Sequence, residues 1–534
     1  MNGHVLRTPR LSLVAFALCA SLGACDTASY DNNESLGFVV PEGKEDDFLS
    51  TTAAEYVFTG RATVQVSPGE GLAEAKKLIG LKHTAIAWFL NEYLIDKTSS
   101  ASNASYGGFN AMVKNGSYQD LAIIDKGDGV FEFTFSQVVA GNKLLLQRLP
   151  KQNGKLRIEI GKPSNAEMAQ LETGHEWYRQ APWANWNPTR VTAAQKETIE
   201  FALAPEVTSK DAWWDYQRLL SDDKLTIDVH YGWDPYHAIH TTDSRDLYNT
   251  LVELGFTSPV SEFEQYTRTS GALTTHLTAN NRDIEVQIRI YYGRVGADND
   301  PDTDAGGRVL ENDVRESLKN SDIIIYSGHS GAFFGFSMAN WQKTEEGDLD
   351  DSELATAEMP SDRYQIVVAE GCDTYMLGHA LKTNPSKRGA NIDIMTTTSF
   401  ADAKSAAAVE MFLGRLLENK RGELRPAPVA TMLSDIKSLE RTGFSTLYGV
   451  HGIDDNPQLH PFADLAKSCN ACQTNADCGA SGNSCVRLRP GTAPVCAAAC
   501  TTDAACPADY ACKQIAIGNA AKMKACVPRT LRCQ

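Results

Sequence analysis

Cysteine is scarce over most of this 534-residue chain, and its distribution is uneven. Between Cys25 and Cys469 the sequence contains a single cysteine, Cys372. A disulfide framework is therefore excluded from the central region, which must be stabilised by a hydrophobic core. A lone thiol in a chain whose other cysteines are accounted for is a candidate reactive group.

Excess positive charge and long hydrophobic runs are also lacking. The net charge of −17 argues against nucleic acid or anionic lipid headgroups as the main partner. Beyond the N-terminal segment, no stretch reaches the roughly 18 apolar residues of a membrane-spanning helix. The hydrophobic content of 42% is that of an ordinary globular protein, and the length allows about three or four domains.

Residues 1–24 have the features of an export signal, because two arginines precede a short apolar run and then small residues. The tetrapeptide LGAC that ends at Cys25 resembles the lipobox of bacterial lipoproteins, which implies that Cys25 carries lipid. The alternative is a plain secretory signal. We expect residues 25–52 to form a flexible tether. The protein is then anchored by lipid alone to a bacterial membrane, in particular the outer membrane, and faces the periplasm or the exterior.

The C-terminal region, residues 468–534, is dense in cysteine, and an even, dense set in an exported chain predicts a disulfide framework. Two similar four-cysteine modules form an internal repeat, flanked by one further pair, and the sequence alone leaves the pairing open. Such short modules depend on disulfides, since they cannot build a large core. A metal or redox pair is the disfavoured alternative. The ten cysteines are Cys469, Cys472, Cys478, Cys485, Cys496, Cys500, Cys506, Cys512, Cys526 and Cys533.

Two further regions lie between the tether and this module. Residues 53–222 combine alternating apolar strands with one amphipathic helix at 72–96, which indicates a mixed, β-containing accessory domain or a propeptide. In residues 223–465 apolar strands alternate with helices, which predicts an α/β domain with a mostly parallel sheet flanked by helices. Its strands are expected at 225–230, 284–290, 323–326, 365–369 and 392–396, and its helices at 243–254, 312–320 and 405–417.

Two of the predicted strands end in a glycine and a reactive side chain. The strand at 323–326 leads into Gly328 and His329, and the strand at 365–369 leads into Gly371 and Cys372. Reactive groups of open α/β sheets collect at the carboxyl ends of the strands. We therefore expect His329 and Cys372 at one sheet edge, as the base and the nucleophile of a cysteine hydrolase. The two glycines allow tight turns that present the side chains.

This pattern of apolar strand, His and Gly, followed by apolar strand and Glu-x-Cys, resembles the caspase, legumain, gingipain and clostripain group of cysteine peptidases. The resemblance covers roughly residues 223–465 and implies a caspase-like domain in which the two strands are neighbours. The chain departs from the pattern in two ways. Ser330 separates His329 from Gly331, and Gly371 stands where the group usually has alanine.

The resemblance also implies roles for the neighbouring residues. The backbone N–H groups of Cys372 and of the pair Ser330/Gly331 are expected to stabilise the oxyanion. Glu370 is expected to line the S1 pocket and to favour a basic or asparagine-like P1 residue; the alternative is a glutamate bound within the sheet edge. From the residues themselves, a helix beginning at Asp373 would lower the pKa of the thiol.

An acidic stretch between two of these strands matches a calcium-binding pattern. Asp300, Asp302, Asp304 and Glu311 occupy positions 1, 3, 5 and 12 of an EF-hand-like loop. Ala305 stands where the EF-hand has glycine, and the alternative is a solvated acidic loop. Calcium is the one cofactor that the sequence suggests.

A second group of metal-ligand types follows the first strand of the α/β domain. Zinc is an alternative reading of Asp228, His230, His237 and His240, but no further residue completes a known zinc pattern. Residues at the rim of the cleft are the favoured interpretation.

Together these features predict an exported, lipid-anchored cysteine endopeptidase that acts on a peptide or protein substrate. The membrane is reached only through the lipid, and nucleic acid is not a partner. One alternative is a catalytically inactive caspase-like lipoprotein for surface binding or adhesion. Another is a thiol acyl hydrolase that does not cleave peptides.

Overall fold

The chain divides into two units, 1–35 and 36–534, and the residues that the structure describes all belong to the second. The expected signal segment and Cys25 lie outside the described residues. Among the described helices, none is long and apolar enough to cross a membrane. The computed structural model describes residues 47–94, 111–114, 117–171, 186–235, 238–331, 335–387, 391–399, 401, 407–420, 422–438, 446–479, 482–517 and 521–533.

The N-terminal part folds as an antiparallel sheet of seven strands, β2 to β8, against helix α1. Every second side chain of β5 points into the core, as the sequence predicts for a half-buried strand; these include Phe131, Phe133 and Phe135. The strands are β1 (Phe48–Leu49), β2 (Ala53–Gln65), β3 (Ala111–Val113), β4 (Gln119–Asp125), β5 (Val130–Asn142), β6 (Lys151–Gln152), β7 (Lys155–Gly161) and β8 (Lys196–Pro205). The helices are α1 (Leu72–Leu94), α2 (Leu145–Arg148) and α3 (Asn165–Leu171).

The middle of the chain alternates strands and helices. Its strands are β9 (Lys224–Tyr231), β10 (Leu273–Ala279), β11 (Arg282–Tyr292), β12 (Ile323–Ser327), β13 (Ser330–Gly331), β14 (Gly335–Ser337), β15 (Asp348–Leu349), β16 (Gln365–Glu370), β17 (Ile392–Thr397), β18 (Asn419–Lys420), β19 (Glu423–Leu424) and β20 (Tyr448–His451). Its helices are α4 (Tyr216–Leu219), α5 (Ser244–Glu253), α6 (Asp304–Asn320), α7 (Asp351–Thr356), α8 (Tyr375–Thr383), α9 (Ala407–Leu416) and α10 (Val429–Ser438).

These strands form a ten-stranded sheet in the order β1-β20-β17-β16-β12-β9-β11-β10-β19-β18. The centre of the sheet, from β17 to β11, is parallel, as the alternation of strands and helices predicts. The antiparallel strands β20 and β10 flank this centre. The five predicted strands are all present, whereas β10 and β20 were not predicted.

Helices cover both faces of the sheet. Along β12, Ile323 and Ile325 belong to one hydrophobic cluster and Ile324 to another, because successive side chains point to opposite faces. The first cluster includes side chains of α5, α9 and α10, and the second includes side chains of α6, α7 and α8. The chain is therefore a mixed α/β protein with helical layers on both sides of a central sheet.

The structure corrects two expected boundaries. The accessory sheet ends at Pro205, and Trp214 already packs in the core of the α/β part. The boundary between the two hydrophobic cores therefore lies before residue 222. Residues 47–52 are not tether, because Phe48 and Leu49 pair with β20 as an edge strand of the ten-stranded sheet. Phe48 is only 1% exposed.

The C-terminal module confirms the predicted disulfide framework and its internal repeat. In each four-cysteine module the first cysteine pairs with the third and the second with the fourth, and Cys469–Cys533 joins the two ends. Each module consists of a short 3-10 turn and a hairpin. The remaining pairs are Cys472–Cys485, Cys478–Cys496, Cys500–Cys512 and Cys506–Cys526. The hairpins are β21 (Asn483–Val486) with β22 (Val495–Ala498), and β23 (Tyr510–Ile517) with β24 (Ala521–Pro528).

We predict that Phe48→Ala lowers the free energy of unfolding by about 3–5 kcal/mol, because the buried ring packs on Gly449 and on Tyr375. Urea unfolding measures this change. Leu121→Ala is the control, since Leu121 is 56% exposed on the accessory sheet; we expect it to cost less than about 0.5 kcal/mol. Equal effects of the two substitutions would contradict the assignment of β1 to the main sheet.

Candidate functional site

Three neighbouring parallel strands end at the same level of the sheet. Tyr231 of β9 pairs with Ser327 of β12, and Ser327 pairs with Glu370 of β16. His329 and Cys372 each follow their aligned strand end by two residues. The register of β12 and β16 therefore places both residues at the same edge of the sheet.

The turns after these strands touch backbone to backbone. Gly232 N–H donates to Ser327 O at 2.8 Å, and Gly328 N–H donates to Glu370 O at 3.1 Å, so the ladder extends one residue past β9 and past β12. A Cβ on Gly328 would lie 2.7 Å from Gly232 Cα, and one on Gly371 would lie 2.7 Å from Gly328 O. Glycine is needed here for close approach.

Asp234 is a third residue at this edge, and it was not predicted. It follows β9, and its Oδ1 lies 3.7 Å from His329 Nε2. The Asp234 side chain is 3% exposed and that of His329 is 36% exposed, so the imidazole has one side toward a buried carboxylate and one toward solvent. The sequence carried a signal for this residue, since a glycine follows β9 as one follows β12 and β16.

Cys372 is the free cysteine of the described residues. Its Sγ lies 3.9 Å from Ala401 O. Burial, and after it the negative charge of Asp373, raise the pKa of the thiol to about 12, although the contact with Ala401 opposes the shift. In this conformation the group is a thiol at neutral pH.

The helix after Cys372 begins later than expected. Helix α8 starts at Tyr375, and Asp373 has a left-handed φ of 61°, so Asp373 belongs to a turn and not to the helix. The expected stabilisation of a thiolate by a helix that begins at Asp373 is therefore not provided. Thr374 fixes the turn, since its Oγ1 donates to Ala369 O at 2.8 Å and accepts from Thr397 N–H at 2.9 Å.

Ser330, the residue that departs from the family pattern, joins the two reactive turns. Its Oγ donates to the carbonyl oxygen of Cys372. Ser330 and Gly331 form the short strand β13, which pairs with β14. The carbonyl of His329 accepts from Ser337 N–H at 3.1 Å and also from the hydroxyl of Tyr326, so the histidine turn is held on both sides.

The carboxylate of Glu370 is held by hydrogen bonds within the edge of the sheet. Ser327 Oγ donates to Glu370 Oε2 at 2.6 Å, and Tyr448 OH donates to Oε1 at 3.4 Å. The residue is 6% exposed. This geometry favours a bound glutamate over one that lines an open S1 pocket.

The expected calcium loop does not assemble. Helix α6 begins at Asp304, far too early for an EF-hand loop that ends at Glu311. The oxygens of Asp302 accept from Asn340 and Lys343 at 2.7 and 2.6 Å. Glu311 accepts from Arg315, and Asp300 from Gly296 N–H and Asp302 N–H. Among the described residues, the groups with metal-ligand spacing consist only of disulfide cysteines. The donor set therefore does not fit calcium.

The side chains of the alternative zinc set also bind other protein groups. Asp228 forms a two-pronged ion pair with Arg289, and it accepts from Ser317 Oγ at 2.7 Å. His230 Nε2 lies 2.9 Å from the same Ser317 Oγ. His240 Nδ1 accepts from Asp234 N–H at 3.3 Å, beside the reactive edge. His237 lies outside the described residues.

Comparison with known proteins adds no relative: no protein-family model, no curated protein and no solved structure matches this chain. The site therefore has to be judged on its own geometry. The arrangement comprises a half-buried thiol, a partly exposed imidazole and a buried carboxylate on three adjacent turns. Such a set can perform nucleophilic attack with proton transfer.

We predict that Gly328→Ala destabilises the fold by about 1–3 kcal/mol, because its Cβ meets the backbone of Gly232. Chemical unfolding measures the change. Gly414 in α9 has open space around its Cβ position, so Gly414→Ala is a matched control and should stabilise by about 0.5–1 kcal/mol. A stabilising Gly328→Ala would disprove the close approach of the turns.

We also predict that alkylation of Cys372 in the native protein has a midpoint well above pH 9, because only the thiolate reacts and burial raises the pKa of the thiol. Asp373→Asn removes a negative charge and should shift this midpoint to lower pH, while asparagine tolerates the left-handed turn. The rate is followed with iodoacetamide from pH 6 to 11. Asp283→Asn, at the exposed far end of β11, makes the same charge change and should shift nothing.

Proposed function

We propose that this chain is a cysteine-type peptidase in which Cys372 is the nucleophile, His329 the general base and acid, and Asp234 the residue that orients His329. The observation that carries the proposal is the register of β9, β12 and β16, whose aligned ends precede the three side chains. The resemblance to caspase-like peptidases points to the same class. The single free thiol among the described residues supports it.

The chemistry follows from the contacts of the imidazole. With Nε2 toward Asp234, Nδ1 is the nitrogen that exchanges the proton. His329 takes the thiol proton as Sγ attacks the scissile carbonyl carbon, and it then gives that proton to the leaving amine, so a thioester forms. A water molecule, deprotonated by His329, attacks the thioester, releases the carboxylic acid and restores the thiol. Backbone N–H groups at Cys372 and at Ser330/Gly331 are the proposed oxyanion donors.

The setting of this activity is outside the cytoplasm. Five disulfides in the C-terminal module indicate an oxidising, exported environment. We propose lipid attachment at Cys25 as the membrane anchor and a peptide or protein as the substrate. The disulfide-rich module then acts in surface attachment or protein binding.

An inactive scaffold is the second candidate, and the high pKa of the Cys372 thiol favours it. A scaffold would retain the fold and the surface for a partner without turnover. A thiol acyl hydrolase with the same residues is a third, and it differs from the peptidase only in the leaving group. Substrate profiling separates all three.

The proposal predicts that Cys372→Ala abolishes cleavage of a peptide library, and that His329→Asn lowers kcat by at least about a hundredfold. Asp234→Asn should lower kcat by about tenfold with little change in KM, because it acts on the imidazole and not on the substrate. Mass spectrometry of the products gives both the rates and the P1 preference.

The matched control is again Asp283→Asn, which removes an exposed carboxylate remote from the site and should leave kcat unchanged. Undiminished cleavage by Cys372→Ala would refute the peptidase proposal. Cleavage of thioesters or esters without cleavage of peptides would favour the acyl hydrolase.

A further inference from the structure

The first two residues of α8, directly after the Cys372 turn, are bound by side chains of the accessory domain. Tyr375 OH donates to Glu55 Oε1 at 2.5 Å, and Asn91 Nδ2 donates to Met376 Sδ at 3.1 Å. Glu55 lies on β2 and Asn91 on α1, so two elements of the accessory domain meet one helix end. The contact begins three residues after the reactive thiol.

Glu55 is a buried carboxylate at the junction between the accessory sheet and the α/β part. Its side chain is 2% exposed, with Lys114 Nζ at 3.7 Å and His451 Nε2 at 4.0 Å from Oε1. A buried charge persists only with such partners, and removing one is costly. Around it lies a shared hydrophobic cluster, composed of Phe48, Ala53, Met112, Ala140, Tyr375 and Leu447.

The link from this junction to the thiol is short. Residues 371–374 form the nucleophile turn, and Met376 N–H donates back to Asp373 O at 3.1 Å. Thr374 is held from the sheet side by Ala369 and Thr397. The turn is therefore held by the sheet at Thr374, and Tyr375 follows it directly in the chain.

We propose that the accessory domain is a permanent positioning element for the nucleophile turn, and that Glu55, acting through Tyr375, is its positioning residue. This contrasts with a propeptide, whose removal would take away Glu55 and expose the cluster around Tyr375. Only the expected effect on catalysis rests on the proposed function, in which Cys372 is the nucleophile. The position of the thiol itself can be measured without any activity.

The test uses Tyr375→Phe in the full chain, which removes the hydroxyl and keeps the ring. Loss of the hydrogen bond to Glu55 should loosen the turn, so alkylation of Cys372, read by peptide mass spectrometry, should become about fivefold faster. Its pH midpoint should move to lower pH as the thiol gains solvent. Cleavage, where measured, should lose about fivefold in kcat with KM unchanged.

Tyr364→Phe is the matched control, because the Tyr364 hydroxyl is also buried and donates to Asp393, but at the opposite end of β16. It should lower stability without changing the alkylation rate. Equal acceleration in the two variants, or none in Tyr375→Phe, would overturn the inference. Glu55→Gln weakens the hydrogen bond from Tyr375 and also removes the charge beside Lys114, so it should accelerate alkylation at least as much as Tyr375→Phe; no acceleration would overturn Glu55 as the positioning residue.

The two proposals fail separately. If Cys372→Ala retains full cleavage, the peptidase proposal is refuted, while the alkylation rates still decide the positioning role. If an active form lacking the accessory domain is isolated, the positioning role is refuted and the peptidase proposal stands.

Discussion

The close approach of three backbone turns is the constraint on which the rest of the site depends. Parallel strands with aligned ends bring Gly232, Gly328 and Gly371 into contact, and side chains at these positions would collide with backbone atoms. The reactive residues follow these glycines within one or two positions along the chain. Their mutual placement is therefore set by the sheet register, which hydrophobic clusters on both faces hold rigid.

Partial burial of Cys372, the proposed nucleophile, follows from the same packing and opposes the proposed chemistry. Its turn packs against the turn of His329 and Ser330, and desolvation raises the pKa of the thiol, with Asp373 adding to the effect. A preformed thiolate–imidazolium pair is thus disfavoured in this conformation. In the proposed mechanism His329 removes the proton as the bond to the substrate forms, and this general-base route needs no stable thiolate.

The sequence predicted the elements whose signal is local. Apolar runs located the central strands, and the glycines before His329 and Cys372 indicated that both residues lie at one edge of the sheet, because strand polarity fixes where strand ends lie. The N-terminus of α6 was missed because Thr303, which caps it through Gly306 N–H, lies inside the acidic stretch that resembled a calcium loop. Asp234 was missed because the glycine after β9 marked the turn, whereas the proximity of this carboxylate to His329 is visible only in three dimensions. The role of Ser330 likewise depends on a carbonyl forty-two residues away in the chain.

The accessory part and the C-terminal module, on either side of the α/β part in the chain, are stabilised in two different ways. The accessory part has its own core and shares a further cluster and a buried carboxylate with the α/β part, so its loss would leave Tyr375 and His451 without the Glu55 carboxylate beside them. The C-terminal module has small clusters and relies on a repeated disulfide pattern, in which a 3-10 turn is clipped to a hairpin twice. The first arrangement couples the parts energetically, since a buried charge binds partners across the junction. The second stabilises the module through covalent links that lie within it.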